Sequence, residues 1–431
     1  MLAKTFTGLP GEGNSGNYSG PSIDWFQFII KLAERCAAKH GLKKKARWRK
    51  YRARHYWEVI VYGTLNCLGT QDAAERWNAL KWKRYNEGKR RKKEPRRLGG
   101  RYPRYERLGP DHTQVNCYKR QFSRKKLDKF KSTVFQEQLL LARELGAIDG
   151  TIDVFVDNSD IPYYGKQKKH ENDFLHHVRN TKGTKRGRKY FGVMVRSGDA
   201  RLFSRLVLSS KVVKRADYVI EGIDELKSWG FKIRRLTGDS AFVIRGLIDY
   251  CLKENIHYFG PTAKKGAIKD KIKNYLESGK CKVFQYGWKG KKQHQKSHPV
   301  ATWIILHSEE KGGISRVRRK YCSRELSLNE AMECIRPFLS IKNIKSGRNS
   351  RYAAWNRMIR WYKKRWWIET GFRDLKEFMP PFHARTNEAK EFSMLLRVFS
   401  YNAWQIHRVM KGEETRKKQF CYEVQATFLC P

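Results

Sequence analysis

Between Thr151 and Asp157 the chain changes its period. Ile152, Val154 and Val156 fall on one side, and Asp153, Phe155 and Asp157 on the other. That is the two-residue alternation of a β-strand, here a buried one that ends at an acid. Such a strand needs partner strands and a covering layer. The chain supplies both in order. Tyr190 to Arg196 and Arg201 to Leu208 read as a hairpin around Ser197-Gly198-Asp199. A helix from Ala216 to Trp229 stops at Gly230. Phe231 to Leu236 reads as a strand running into Thr237-Gly238-Asp239-Ser240. Ala241 to Lys253 is a helix and Ile256 to Phe259 a short strand. Asp157-Asn-Ser-Asp160 reads as a polar turn, and the very basic stretch from Lys166 to Lys189 as a loop.

Strand, hairpin, helix, strand, helix, strand is the order of a ribonuclease-H-like sheet, an α/β core of five mixed strands covered by helices. An acid closes the first strand and another, Asp239, follows the fourth. A lone acid at a strand end is commonly a cap or a turn residue. Two at these places, with a third on a later helix, point to a site.

The third acid is Glu369. Tyr362 to Lys376 reads as one helix with Gly371 inside it and a stop at Pro380-Pro381. At about 100° per residue, Tyr362, Arg365, Glu369 and Lys376 share a narrow stripe. Trp361, Ile368, Phe372 and Leu375 form an apolar stripe beside it. Arg365 with Glu369 is also an ordinary i,i+4 pair. The alternative chemistry is a carboxylate for a metal ion with cations and a phenol for phosphates.

Composition narrows the partner. The chain has 431 residues with 92 Lys or Arg against 42 Asp or Glu, a formal charge of +50. A chain this basic is expected on a polyanion, and nucleic acid comes first. The longest apolar run, Trp25 to Leu32, is too short to span a membrane. No signal peptide is apparent, so a cytoplasmic, nucleoid-associated location is expected. The 9 cysteines are scattered with no Cys-x-x-Cys, which fits reduced thiols. Cys281, His294 and His298 lack the fourth ligand of a zinc site.

Residues 1–20 read as a disordered tail. Residues 21–147 read as a helical DNA-binding domain: a helix from Ser22 to His40, another from His55 to Leu68, one capped by Thr70, a short one from Asp111 to Gln121, and a long one from Ser123 to Leu145. Thr70 to Leu80 with Asp111 to Gln121 would make a helix-turn-helix variant. Lys81 to Arg107 carries 13 basic residues against 3 glutamates and reads as a basic arm. Residues 148–259 and 350–411 form the expected catalytic domain. Residues 260–349 are a partly β insertion hanging off it, with β-like runs at Lys282 to Tyr286, Val300 to Leu306 and Arg316 to Tyr321. Residues 412–431 form a C-terminal tail.

The spacing Tyr-x2-Arg-x3-Glu-x6-Lys, met by Tyr362, Arg365, Glu369 and Lys376, resembles the YREK signature of prokaryotic insertion-sequence transposases of the IS-four type. Those are DDE transposases with a ribonuclease-H-like core. Val156-Asp157-Asn-Ser-Asp-Ile-Pro-Tyr-Tyr-Gly-Lys166 resembles the family's first-aspartate motif, and Asp239-Ser-Ala-Phe242 its second, where Arg-Gly often stands in place of Ser240-Ala241. Thr181 to Arg186, His383-Ala-Arg-Thr386 and Tyr401-Asn-Ala-Trp404 resemble neighbouring segments. The resemblance implies that Asp157, Asp239 and Glu369 are the catalytic metal triad, with Asp153 and Asp160 as rivals for the first place. It implies DNA contacts for Tyr362, Arg365, Lys376, Lys185 and Arg186. It implies two Mg²⁺ ions, with Mn²⁺ as substitute, held by hard carboxylate oxygens. The expected partners are the transposon ends and target as double-stranded DNA, and a second copy in a homodimeric synaptic complex. Family members often pass through a DNA hairpin, for which Trp288 and Trp303 would be flipped-base stacking candidates. Two rival readings stand beside this one: a domesticated binder without chemistry, and a ribonuclease-H-like nuclease or resolvase.

Overall fold

The computed structural model describes residues 25–40, 51–91, 110, 112–164, 173–178, 183–280, 282–288, 300–341, 351–377, 386–412 and 415–429. The helices α1 (Trp25–Lys39), α2 (Ala53–Leu65), α3 (Thr70–Arg91), α4 (His112–Lys119) and α5 (Arg124–Glu144) come first. Next are β1 (Thr151–Pro162), β2 (Leu175–His177), β3 (Arg186–Ser197), β4 (Ala200–Leu208), α6 (Arg215–Ser228), β5 (Lys232–Thr237), α7 (Arg245–Lys253) and β6 (His257–Pro261). The middle section holds α8 (Ala267–Ser278), β7 (Val283–Trp288), β8 (Val300–His307), α9 (Gly313–Cys322), α10 (Leu328–Glu333) and β9 (Arg336–Ser340). It closes with α11 (Arg351–Lys363), α12 (Trp366–Glu377), α13 (Asn387–Lys411) and α14 (Lys417–Leu429).

The strands form one sheet in the order β2-β3-β1-β5-β6-β9-β8-β7, with β4 also on β3. β1 runs antiparallel to β3 and parallel to β5, and β5 parallel to β6. The middle section does not hang off the core, as its sequence led us to expect. β9 pairs with β6 and β8 and so carries the sheet onward. Arg316 to Tyr321 is helical, inside α9, because Ile314 and Val317 bury one side of a turn while the arginines face out.

Several boundaries move for the same reason: long-range pairing outweighs local signals. β1 does not end at Asp157. Pairing with β3 continues through Asp160↔Lys189 to Pro162↔Gly187, so the expected polar turn is strand. Within the stretch expected to be a loop, Arg186 to Lys189 belong to β3 and Leu175 to His177 form β2. α3 runs to Arg91, taking in the start of the expected arm. The gap from Arg91 to His112 is far longer than the three- or four-residue turn of a helix-turn-helix, and most of it lies outside the described residues. The C-terminal stretch contains a helix, α14, whose Phe420 packs on His407. The start of the chain, the rest of the basic arm, Cys281, His294 and His298 lie outside the described residues.

The N-terminal helices share their core with α13. Trp57 of α2 is fully buried and meets Phe130 of α5 at 5.7 Å and Phe392 of α13 at 5.9 Å between ring centres. Glu391 of α13 is buried and bound by Arg124 and Lys131 of α5. Asn402 ties three elements together. Its amide donates to the Phe203 carbonyl at 2.8 Å and to Gln138 Oε1 at 3.1 Å, and its oxygen accepts from Phe203 N at 2.9 Å. β4 has a strand neighbour on one side only, so Asn402 satisfies its outer edge as a strand would.

α12 lies over the β1–β3 face at very close range. A Cβ on Gly371 would sit 2.4 Å from Met194 Cε, and one on Gly192 would sit 2.6 Å from Phe372 Cζ. Glycine on both surfaces allows helix and sheet to touch.

Candidate active site

Parallel pairing puts Phe155 of β1 beside Thr237 of β5. Two residues further on in each chain stand Asp157 and Asp239. Neighbouring parallel strands are about 4.8 Å apart, so the register brings the two chain segments that carry these acids to the same end of the β1–β5 pair. Asp157 is buried, and its Oδ1 accepts from Asn158 N at 2.8 Å. Asp239 has left the sheet. Its Oδ1 accepts from Ala241 N at 2.8 Å and caps a single 3₁₀ turn, Ser240–Phe242. Gly238 permits this exit, since a Cβ there would lie 2.8 Å from both Phe242 and Val156.

The stretch from Tyr362 to Lys376 is two helices, not the single one its sequence predicts. α11 ends at Lys363 and α12 begins at Trp366. The junction is tightened by Arg365 N donating to Tyr362 O at 2.7 Å and Trp367 N to Lys364 O at 3.0 Å. Trp361 and Ile368, on different helices, are both buried. The break aims Arg365 inward.

Arg365 connects the site. Its Nη1 donates to Asp157 Oδ2 at 2.7 Å, its Nη2 to Glu369 Oε1 at 2.5 Å, and its Nε to the Tyr362 hydroxyl at 3.1 Å. Burial works against the charge of Arg365, but Tyr362, Asp157 and Glu369 hold its proton more firmly than usual. Glu369 stands on the first turn of α12, which is anchored by buried Ile368, Phe372 and Leu375. The Tyr362 ring packs 5.0 Å from Phe338 and 6.4 Å from Phe259. Burial pushes Asp157 up to about 6, against the pull of Arg365 and with the push of Asp239 and Glu369. Asp157 therefore feels both other carboxylates.

The rivals for the first acid are otherwise engaged. Both oxygens of Asp153 are taken: Arg234 grips it through Nε and Nη2 at 2.9 Å each, and Trp361 Nε1 donates to it at 3.0 Å. Asp160 lies further along β1, 3.8 Å from Lys189. Lys376 is exposed on α12. Lys185 and Arg186 are exposed at the start of β3, six residues from Gly192, the partner of Asp157. At about 3.4 Å per residue that is about 20 Å from the triad, so the fold does not bring them into it. Trp303 is half-buried on β8 against the core.

Carboxylate oxygens suit a hard divalent ion, and here Asp157 and Glu369 already share one positive group. Among the described residues no three such side chains converge as a ready-made metal site. The guanidinium of Arg365 stands where charge balance needs a cation. Sequence reasoning missed Trp361, Trp367, Arg196, Arg201, Arg234 and Arg235, which gather at the other end of β1. In a chain with 92 basic residues nothing singled these arginines out.

A family model described as a transposase DDE domain matches residues 143–403, from the end of α5 into α13 and more than half of the chain. The fold is similar to that of the piggyBac transposase in a cryo-EM structure of its synaptic complex with hairpin DNA. The TM-score is 0.50 at 13% identity, covering 95% of this chain and 80% of that one. No curated protein sequence matches the chain. No helix among the described residues is long and apolar enough to cross a membrane.

Proposed function

The chain belongs to the transposase DDE-domain family, and from that premise we propose that it binds the terminal repeats of its own insertion sequence, cuts DNA there and joins the freed end to target DNA. What supports this reading is that Asp157 and Asp239 each stand two residues beyond the paired positions Phe155 and Thr237, and that Arg365 bonds both Asp157 and Glu369. The sheet order β4-β3-β1-β5-β6, antiparallel on one side of β1 and parallel on the other, supports a ribonuclease-H-like core. The exact YREK spacing supports the prokaryotic IS-four type.

In this reading Asp157, Asp239 and Glu369 hold two Mg²⁺ ions, for which Mn²⁺ substitutes. Ions held there would supply activation of a water or 3′-hydroxyl and stabilisation of the leaving oxygen. The residues of the chain do the rest. Arg365 turns from the carboxylates to the DNA phosphates, a change its five N–H donors allow. Tyr362 orients it through the Nε contact. Lys376 adds charge along α12, and Lys185 and Arg186 serve the flanking DNA from the start of β3. The formal charge of +50 supports a polyanionic partner and predicts steep weakening of binding with salt. Holding two element ends at once calls for a second copy, so a homodimer on DNA belongs to the proposal.

The test is strand cleavage of DNA carrying the element's own end, with Mg²⁺, with EDTA and with Glu369→Gln. Metal-dependent nicking at the boundary, lost in the variant while DNA binding persists, is the expected result. Binding without cleavage in both proteins would replace the enzyme with a domesticated binder. Cleavage confined to branched DNA would favour a resolvase.

A further inference from the structure

Consecutive residues of a strand point to opposite faces, and β5 breaks this rule beside β1. Ile152 pairs with Ile233 but Asp153 pairs with Arg235, so Arg234 is an extra residue in a bulge. Bulges re-aim side chains, and this one sends two successive arginines to a single place. Arg234 grips Asp153, and Arg235 lays its guanidinium 5.1 Å from the Trp361 ring. On the other side of β1, Arg196 pairs with Asp153. Arg196 and Arg201 both stack on Trp367, at 3.9 and 4.3 Å. Lys364, from the α11–α12 junction, stands 5.5 Å from the same ring. Arg196, Arg234, Arg235, Lys364 and Trp361 line an open cavity of about 460 Å³.

The balance of charge in this cavity is positive. Asp153 is neutralised by Arg234, and Asp149 is held by Ser197 at 2.6 Å. Burial and neighbouring arginines hold Arg196 and Arg201 below the usual guanidinium value. Four cations, Arg196, Arg234, Arg235 and Lys364, thus face one cavity with two acids, Asp149 and Asp153, and an anion entering it would be attracted.

Position indicates which anion. Asp153 and Asp157 lie on one face of β1, four residues apart, or about 13 Å at 3.3 Å per residue. Phosphates of one DNA strand advance about 3.4 Å along the duplex axis per nucleotide and also wind about 35° around it, so a separation of about 13 Å in space spans about two nucleotides. We propose that the cavity is a second phosphodiester site, gripping the DNA backbone about two nucleotides from the phosphate held at Asp157. The junction between α11 and α12 then serves both sites, with Arg365 aimed at one and Lys364 at the other. This inference rests on the reading of the first site as a DNA-cleaving centre.

The experiment uses the full chain and a fluorescent short duplex of mixed sequence, with binding followed by anisotropy across a salt titration. Three proteins are compared with the wild type: Arg235→Gln/Lys364→Gln, the charge-preserving Arg235→Lys/Lys364→Arg, and Lys269→Gln/Lys271→Gln on α8 as a charge-matched control. Each lost phosphate contact removes about 0.9 from the slope of log affinity against log salt. The cavity variant should lose about 2 from that slope, with the charge-preserving variant and the α8 control close to wild type. An unchanged slope in a folded cavity variant, or a loss matched by the α8 control, overturns the second site and leaves the first intact. A wild-type protein whose affinity ignores salt overturns the DNA-cleaving reading itself.

Discussion

Asp157 and Glu369 share one guanidinium: Arg365 reaches Asp157 at 2.7 Å and Glu369 at 2.5 Å through its two terminal nitrogens. An acid from the centre of the sheet and an acid from a helix 212 positions later in the chain are thus held to one positive charge. Removing that charge should act in two directions. Without a metal ion, Arg365→Ala leaves buried Asp157 unpaired, at a cost of about 3–5 kcal/mol. With Mn²⁺ the carboxylates no longer have a competing cation, and affinity should rise about tenfold or more. Calorimetric titration of Mn²⁺ into DNA-free protein checks this, alongside melting in EDTA. Weaker Mn²⁺ binding in the variant would show that Arg365 organises the acids instead of competing for them.

The two glycines at the α12 contact should respond differently to alanine. Gly192→Ala drives a methyl into the Phe372 ring, a rigid group, 2.6 Å away. Its cost should be about 1–3 kcal/mol, with α12 displaced and cleavage impaired. Gly371→Ala meets the tip of Met194, which can turn aside. The gain in helix propensity, about 1 kcal/mol, offsets part of that strain. Urea unfolding of the two variants should rank Gly192→Ala as the more damaging.

Asn402→Ala should be costly for a residue far from the triad. It strips partners from Phe203 N–H, Phe203 C=O and Gln138, all buried. With about 1–3 kcal/mol for each buried group left unsatisfied and partial relaxation, a loss of about 2–4 kcal/mol is expected. Equilibrium denaturation reads it directly. A loss under about 1 kcal/mol would mean that water replaces the amide.

Stability should fall on mild acidification. Burial, the largest cause in each case, holds His40, His55, His307 and His407 below the ordinary imidazole value. The unfolded chain then binds more protons than the folded one below about 6.5, so stability rises with pH through that window and is flat above it. Asp157 acts in the opposite sense. Raised by burial to about 6, it binds its proton better in the folded state, so its contribution declines as pH climbs towards that value. Melting temperature should therefore drop from pH 7.5 to about 6. The drop below that should be steeper in Asp157→Asn, which lacks the opposing group.

Much of this molecule is written locally. The alternation from Thr151 to Asp157 marks β1 and shows that Asp153 and Asp157 share a face. The apolar stripe of Ile368, Phe372 and Leu375 marks the buried side of α12. The spacing of Tyr362, Arg365, Glu369 and Lys376 points to the acid that joins Asp157. These features depend on residues a few positions apart, where backbone geometry alone sets which side chains face together.

The remainder depended on partners distant in the chain. Asp153 and Asp157 are indistinguishable by alternation; only the fold places Arg234 and Trp361 on the first and Arg365 on the second. β1 passes beyond Asp157 because β3 continues to pair with it. The helix at Tyr362–Lys376 divides at Lys364 and Arg365, where Arg365 bonds Asp157 of β1, a partner 208 positions away in the chain. The bulge that turns Arg234 and Arg235 together exists only in the pairing with β1. Local periodicity sets the face on which a side chain lies. Which group meets it there is settled by strand register and helix docking, whose energies come from contacts the neighbouring sequence does not contain.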